Sequence, residues 1–251
     1  MRQSTYNMVA KQKIFLTAAW QNLIMANYTI EPSLLKPYLP AFTELDYYNG
    51  KCYISLVGFM FEEVKIKGIR IPFHTSFPEI NLRFYVRHRD KNGSVHRGVV
   101  FISEIVPKNT IAWVANTFYK EKYTAAIMTR SVATANKNLL FDYTWHWKGR
   151  ENLVSANVVN TLWPIEPGTE EAFIFEHYKG YAKVSESVTN QYTVEHPTWN
   201  TYPVNDYKID CDFENFYGSR FAFLDKAKPA SVFVADGSPV VIRSKTVLRN
   251  G

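Results

Sequence analysis

From residue 79 the chain reads Glu-Ile-Asn-Leu-Arg-Phe-Tyr-Val-Arg. Alternate residues of a strand share a face. Glu79, Asn81, Arg83, Tyr85 and Arg87 therefore lie on one side, and Ile80, Leu82, Phe84 and Val86 on the other. An acid, an amide and a guanidinium on one strand face suit the wall of a polar cavity. Arg83 there would hold a ligand carboxylate or enolate through two parallel N–H bonds. The plainer account is a half-exposed strand with its polar side in water. Glu104 is a second signal. It interrupts the apolar run from Val99 to Val106, and a charge in such a run must be paired, hydrated or functional. Its plainer account is a rim position near Pro107.

Two further segments carry reactive side chains. Phe118-Tyr119-Lys120-Glu121-Lys122-Tyr123 follows an amphipathic stretch, and lysines at a helix C-terminus ordinarily complement its dipole. Glu195-His196-Pro197-Thr198-Trp199 places a histidine whose backbone is constrained by the next proline; a packed turn explains it equally. The six histidines show no HxH, HxxxH or HExxH spacing, and Cys52 and Cys211 form no CxxC pair. No metal is expected. Nucleotide-binding and serine-hydrolase motifs are absent, and no cofactor is expected.

The elements that must position these residues are mostly strands. Strand candidates are 20–29, 52–66, 79–89, 95–106, 124–134, 139–148, 153–163, 181–195 and 231–243. Turn signals fall at Asn49-Gly50, Lys91-Asn92-Gly93, Ala135 to Asn138, Gly149 to Asn152 and Asp236-Gly237. Strands at such regular spacing predict a large antiparallel sheet system, closed or nearly closed. The 52–61 strand is apolar on both faces and belongs at the centre. Phe141, Tyr143, Trp145 and Trp147 form an aromatic stripe, either core or a self-association surface. Helices are few: one from Glu31 to Leu35, one from Asn109 to Tyr119, one from Glu170 to Tyr178 capped by Thr169, and one over Asp212 to Tyr217.

Composition bounds the class. Of 251 residues, 46% are hydrophobic and 21% charged, which describes a folded chain with its own core. The net charge is +6, but the basic residues are scattered and no run of five like charges occurs, so nucleic acid is not an expected partner. The longest uncharged stretch, Ile14 to Ile30, is broken by Gln21, Asn22 and Asn27, so no membrane-spanning helix is expected. The poor match to a signal peptide and the two isolated cysteines point to the cytoplasm. No linker or repeat divides the chain, so residues 1–251 are read as one domain.

The order of features resembles a known family. Trp20, Leu39-Pro40, Leu45-Asp46 and Asn49-Gly50 come first. The strand Phe77-Pro78-Glu79-Ile80-Asn81-Leu82-Arg83-Phe84-Tyr85-Val86 follows. Glu176-His177-Tyr178 and His196-Pro197-Thr198-Trp199 come late. Together, over roughly residues 18–220, they resemble the YqjF-like family of uncharacterised bacterial proteins, a branch of the acetoacetate-decarboxylase-like superfamily. The resemblance implies a mainly β fold: a closed antiparallel β-barrel or cone with flanking helices and a central pocket. It also implies that Glu79 faces that pocket.

Decarboxylases of the superfamily use a lysine with a depressed pKa that condenses with a keto acid. The resemblance sets Lys122 at the Schiff-base position, Glu121 at the motif proline and Tyr123 at the second lysine. The cation that would depress the pKa of Lys122 is thus missing, and Tyr28 or Thr29 stands where an arginine is expected. Three readings follow. The first is a small anionic organic ligand bound by Glu79, Asn81, Arg83, Tyr85, Glu104 and His196. The second is a Schiff-base lyase acting on a keto acid through Lys122, with Glu79 in support. The third is a homo-oligomer joined through the aromatic stripe.

Overall fold

The computed structural model describes residues 12–107 and 122–249. The chain opens with β1 (Ile14–Thr29) and the single turn α1 (Pro32–Leu35), then β2 (Glu44–Leu45), β3 (Tyr53–Ile66) and β4 (Ile69–Arg70). β5 (Phe77–Arg89) and β6 (Val95–Val106) form a long hairpin across the Lys91-Asn92-Gly93 turn. Next come β7 (Tyr123–Ala125), β8 (Ile127–Ala135), β9 (Asn138–Trp147), β10 (Arg150–Val159), β11 (Trp163–Pro164) and α2 (Glu170–Phe175). The last part holds β12 (Lys179–Ser185), β13 (Val188–Glu195), β14 (Asn200–Tyr202), β15 (Val204–Asp210), α3 (Phe213–Tyr217), β16 (Ser231–Arg243) and β17 (Thr246–Arg249). The helix expected over Asn109 to Tyr119 lies outside the described residues.

The strand pairings close on themselves. From β16 they run to β1, β3, β5, β6, β12 and β13, and β13 returns to β16 through Val194–Ile242 and Glu195–Val241. The ring is not wholly antiparallel: β12 meets β6 in parallel at Gly180 and Val99, and β7 also runs parallel to β6. A second, antiparallel sheet in the order β15, β10, β9, β8 packs against the outside.

Each central strand therefore covers two cores with its two faces. Ile24, Ile54, Leu56, Ile80, Leu82 and Phe84 point outward and pack with Tyr143, Trp145 and Val154 of the second sheet. Leu23, Val57, Phe59, Phe77 and Tyr85 point inward and pack with Phe173 and Phe175 of α2. Gly58 lets the sheets approach: a Cβ there would sit 2.8 Å from Ile80 Cδ1 and 3.0 Å from Val154 Cγ1. Most of the aromatic stripe is core: Phe141, Tyr143 and Trp145 are buried within the chain, while Trp147 is half-buried against Phe216. That removes the buried residues from any surface that could join two copies.

Local chemistry sets the ends of the elements. Pro32 fills a first-turn position of α1, where its missing N–H leaves no bond unmade. Thr169 Oγ1 accepts from Ala172 N at 3.2 Å to cap α2. Asp212 Oδ1 accepts from Asn215 N at 3.1 Å to cap α3.

Several boundaries differ from the sequence reading. The first strand begins at Ile14 and not at residue 20, because Ile14 to Ala19 find partners in β16 that a local pattern cannot show. Residues 181–195 form a hairpin rather than one strand, turning between Ser185 and Val188. β15 and β17 lie outside every strand candidate. Asn49 and Gly50 take φ of 48° and 75°, but close only the Tyr48–Lys51 bridge, while β2 pairs with β5. Asp236-Gly237 is no chain reversal: Gly237, at φ 92°, sits inside β16 opposite Gln21.

Candidate functional site

The inward face of β5 opens onto a cavity of about 70 Å³ inside the ring of strands. One water needs roughly 10–15 Å³ measured this way, so the space suits a ligand of a few heavy atoms. The structure brings Glu79, Asn81, Arg83, Glu104 and His196 together in its wall. Strands β6 and β7 supply the neighbours: Glu104 is the register partner of Asn81, and Tyr123 that of Glu104.

Glu79 and Asn81 are almost wholly buried. Asn81 Nδ2 donates to Glu79 Oε1 at 3.1 Å, and the Tyr123 hydroxyl donates to Glu79 Oε2 at 3.4 Å. Burial pushes the Glu79 carboxyl up to about 8, and those two donors and the Arg83 charge offset it only in part. Burial thus favours the protonated form of Glu79. Burial, followed by the nearby charges of Glu104 and Glu79, holds Tyr123 well above the usual phenol range.

Arg83 is the cation of this wall. Its Nη2 reaches Met25 Sδ at 3.8 Å, the guanidinium also hydrogen-bonds the Tyr85 side chain, with its carbon 5.9 Å from that ring's centroid, and its buried Nε has no hydrogen-bond partner among the described residues. Burial disfavours the charged form of Glu79, which weakens its pairing with Arg83. A guanidinium set in a cavity without a tight carboxylate partner attracts an anion.

The opposite wall is aromatic and basic. His196 stacks on Trp199 with centroids 4.2 Å apart and an interplanar angle of 14°. Burial, opposed by a bond to Pro197 O and aided by Arg83, lowers its pKa. Trp199 Nε1 donates to Ser238 Oγ at 2.8 Å, which fixes the stack. Lys179 opens β12 and also lines the cavity. Its Nζ donates to Thr193 Oγ1 at 2.8 Å, and burial lowers its pKa. His177 completes this side, its Nε2 3.3 Å from Asp46 Oδ2.

Three of the sequence candidates lie elsewhere. Tyr85 stands behind the wall, its ring 4.7 Å from that of His177 and its hydroxyl 2.7 Å from Ser55 Oγ. Arg87 pairs with Glu44 at 2.8 Å at the far end of β5. Lys122 does not line the cavity. It is exposed, its Nζ lies 5.1 Å from the centre of the Tyr38 ring, and its carbonyl accepts from Glu104 N. Consecutive residues of an extended segment face opposite ways, so Tyr123 points in where Lys122 points out. Sequence reasoning made none of Tyr123, His177, Lys179 and Tyr192 a site residue, though the resemblance set Tyr123 at the second lysine. His177 was visible within Glu-His-Tyr, but nothing local ties Lys179 or Tyr192 to β5. Among the described residues no cluster of His, Cys, Asp and Glu could hold a metal ion, and no helix is long and apolar enough to cross a membrane.

Solved structures of the acetoacetate-decarboxylase-like fold share this closed ring of strands. An acetoacetate-decarboxylase-like enzyme from Sphingomonas wittichii RW1 matches with a TM-score of 0.65 at 11% identity, over 95% of each chain. The acetoacetate decarboxylase of Legionella pneumophila matches with a TM-score of 0.63 at 10% identity, over 99% of this chain and 98% of that one. The enduracididine biosynthesis enzyme MppR, in a complex with pyruvate, matches with a TM-score of 0.63 at 12% identity, over 97% and 94%. Identities this low establish the shared fold alone. Within that fold the chain belongs to DUF2071, a family described as an uncharacterized conserved protein, whose pattern matches residues 17–239. It is 32% identical to the uncharacterized protein YqjF of Bacillus subtilis (strain 168) over 110 residues, a segment spanning 43% of each protein.

Proposed function

We propose that this chain binds a small organic carboxylate inside its strand ring, with Arg83 taking the carboxylate and Glu79 and Asn81 meeting the rest of the ligand. The observation that carries this is Arg83, a cavity guanidinium whose Nε has no partner among the described residues, beside a carboxyl whose pKa burial raises. The cavity volume supports a molecule of pyruvate's size, and MppR has been captured with pyruvate. The test is a thermal-shift screen of short carboxylic acids on the parent and on Arg83→Ala. A ligand at a hundredfold excess over Kd stabilises by about 2.7 kcal/mol, and Arg83→Ala should abolish most of that shift. Binding that is equal in the parent and the variant overturns the assignment.

The keto-acid enzyme is the second reading, and Lys179 is the observation that favours it. Schiff-base chemistry needs an amine at the ligand with its pKa lowered. Lys179 meets both conditions, whereas Lys122 faces the outside.

A further inference from the structure

His177 belongs to a charge cluster that the carboxylate site does not use. Its side chain is 1% exposed, and the ring is enclosed by Tyr85 and by Phe173, whose centroid lies 5.2 Å away in an edge-on arrangement. Nε2 lies 3.3 Å from Asp46 Oδ2. The same carboxylate oxygen accepts from Arg97 Nε at 2.6 Å, and the Arg97 guanidinium sits 4.7 Å from the centroid of Phe173. The other ring nitrogen, Nδ1, is buried and has no hydrogen-bond partner among the described residues. The ring forms part of the cavity wall.

These contacts fix the tautomer. The bonds from His177 and Arg97 keep Asp46 ionised, and an ionised carboxylate only accepts. Nε2 must therefore carry the proton it donates. Burial, with the nearby charges of Arg97 and Arg83, holds the imidazole neutral, down to about 4. A neutral ring has one proton, so Nδ1 presents a bare lone pair. A buried acceptor left unmatched is costly, by about as much as a lost hydrogen bond. A ligand that brings a donor would match it.

We propose that His177, oriented by Asp46, is the hydroxyl-recognising residue of the cavity, so that the ligand is a short hydroxy acid or enol rather than a simple keto acid. This rests on the assignment of Arg83 to the carboxylate. Arg83 anchors the acid, and His177 Nδ1 accepts the hydrogen bond of the hydroxyl. A keto oxygen at the same place would face a lone pair with a lone pair. A site built to bond a hydroxyl rejects the analogue that lacks it.

L-lactate, D-lactate and pyruvate test the idea, since they differ at the one relevant oxygen. Calorimetric titration of the parent should show one lactate enantiomer binding about tenfold more tightly than pyruvate, the size expected from one matched hydrogen bond. His177→Phe should erase that preference while retaining binding through Arg83. Equal affinities in the parent, no binding of any of the three, or an unchanged preference in His177→Phe each overturns it. Arg83→Ala separates the two claims: it should weaken lactate and pyruvate alike, and a uniform failure there sinks the anchor, not the selectivity. Should His177→Phe fail to fold, the imidazole 15N spectrum of the parent at pH 7 decides. A proton on Nε2 with a bare Nδ1 supports the assignment, and a proton on Nδ1 overturns it.

Discussion

The hydroxyl of Tyr123 reaches Oε2 of Glu79 at 3.4 Å, from the short strand β7 across β6 to the inward face of β5. Tyr123 lines the cavity, whereas Lys122 does not. With Tyr123 turned in, Lys122 is turned out, because neighbouring strand residues alternate. Tyr123, which the resemblance sets at the second lysine, thus lines the cavity beside Glu79, while Lys122, set at the Schiff-base position, does not.

Lys122→Ala should leave ligand binding unchanged. Borohydride reduction in the presence of pyruvate, followed by peptide mapping, should yield no adduct on Lys122. Recovery of a reduced adduct at that residue would place its amine in the cavity and overturn the orientation of β7.

Glu79 makes stability depend on pH in a specific window. It keeps its proton up to about pH 8 in the folded chain, against an ordinary value of 4.5. The folded state then binds more protons than the unfolded one between those values, so stability falls as pH rises through them. His177 acts in the opposite direction lower down: its pKa drops from 6.5 to about 4, so its contribution is lost as pH falls through that range. Between pH 6.5 and 8 only Glu79 of the two remains active. Urea melts at those two pH values should show the parent weakening and Glu79→Gln holding steady. Parallel losses in both proteins rule out a neutral Glu79.

Trp145→Ala should destabilise the monomer rather than alter assembly. Trp145 is fully buried between the ring and the second sheet, and truncation of a buried large aromatic costs about 3–5 kcal/mol. Denaturant unfolding measures this loss. A near-neutral change, together with a shift in size by light scattering, would mean that the residue serves an interface instead.

Gly58→Val tests the contact between the two sheets. Even a Cβ would lie 2.8 Å from Ile80 Cδ1 and 3.2 Å from Tyr143 Cδ2. Overpacking of this kind costs roughly 1–3 kcal/mol. The midpoint of denaturation should fall accordingly, and a variant as stable as the parent would show that the sheets can separate without loss.

Much of this molecule follows from short-range rules that the residues display. The alternation from Glu79 to Val86 separates the two faces of β5, since the side-chain period of a strand is two. Thr169 and Asp212 announce helix starts because their oxygens satisfy free N–H groups. Strand β3 shows its central place by being apolar on both sides. Residues 181–195 misled because a tight turn between two β-rich runs leaves little break in the pattern.

What lies over a face is a different matter, and only the tertiary structure decided it. The polar side of β5 lines a cavity because β13 pairs with β16 and closes the ring. The same alternation on an open sheet would face water. His177 and Lys179 join Arg83 across about a hundred residues of chain, through the parallel meeting of β12 with β6. Tyr123 lines the cavity and Lys122 does not, through the phase in which β7 pairs with β6. Local propensity sets which residues share a side, but closure and phase come from pairings between distant segments, which no local spacing encodes.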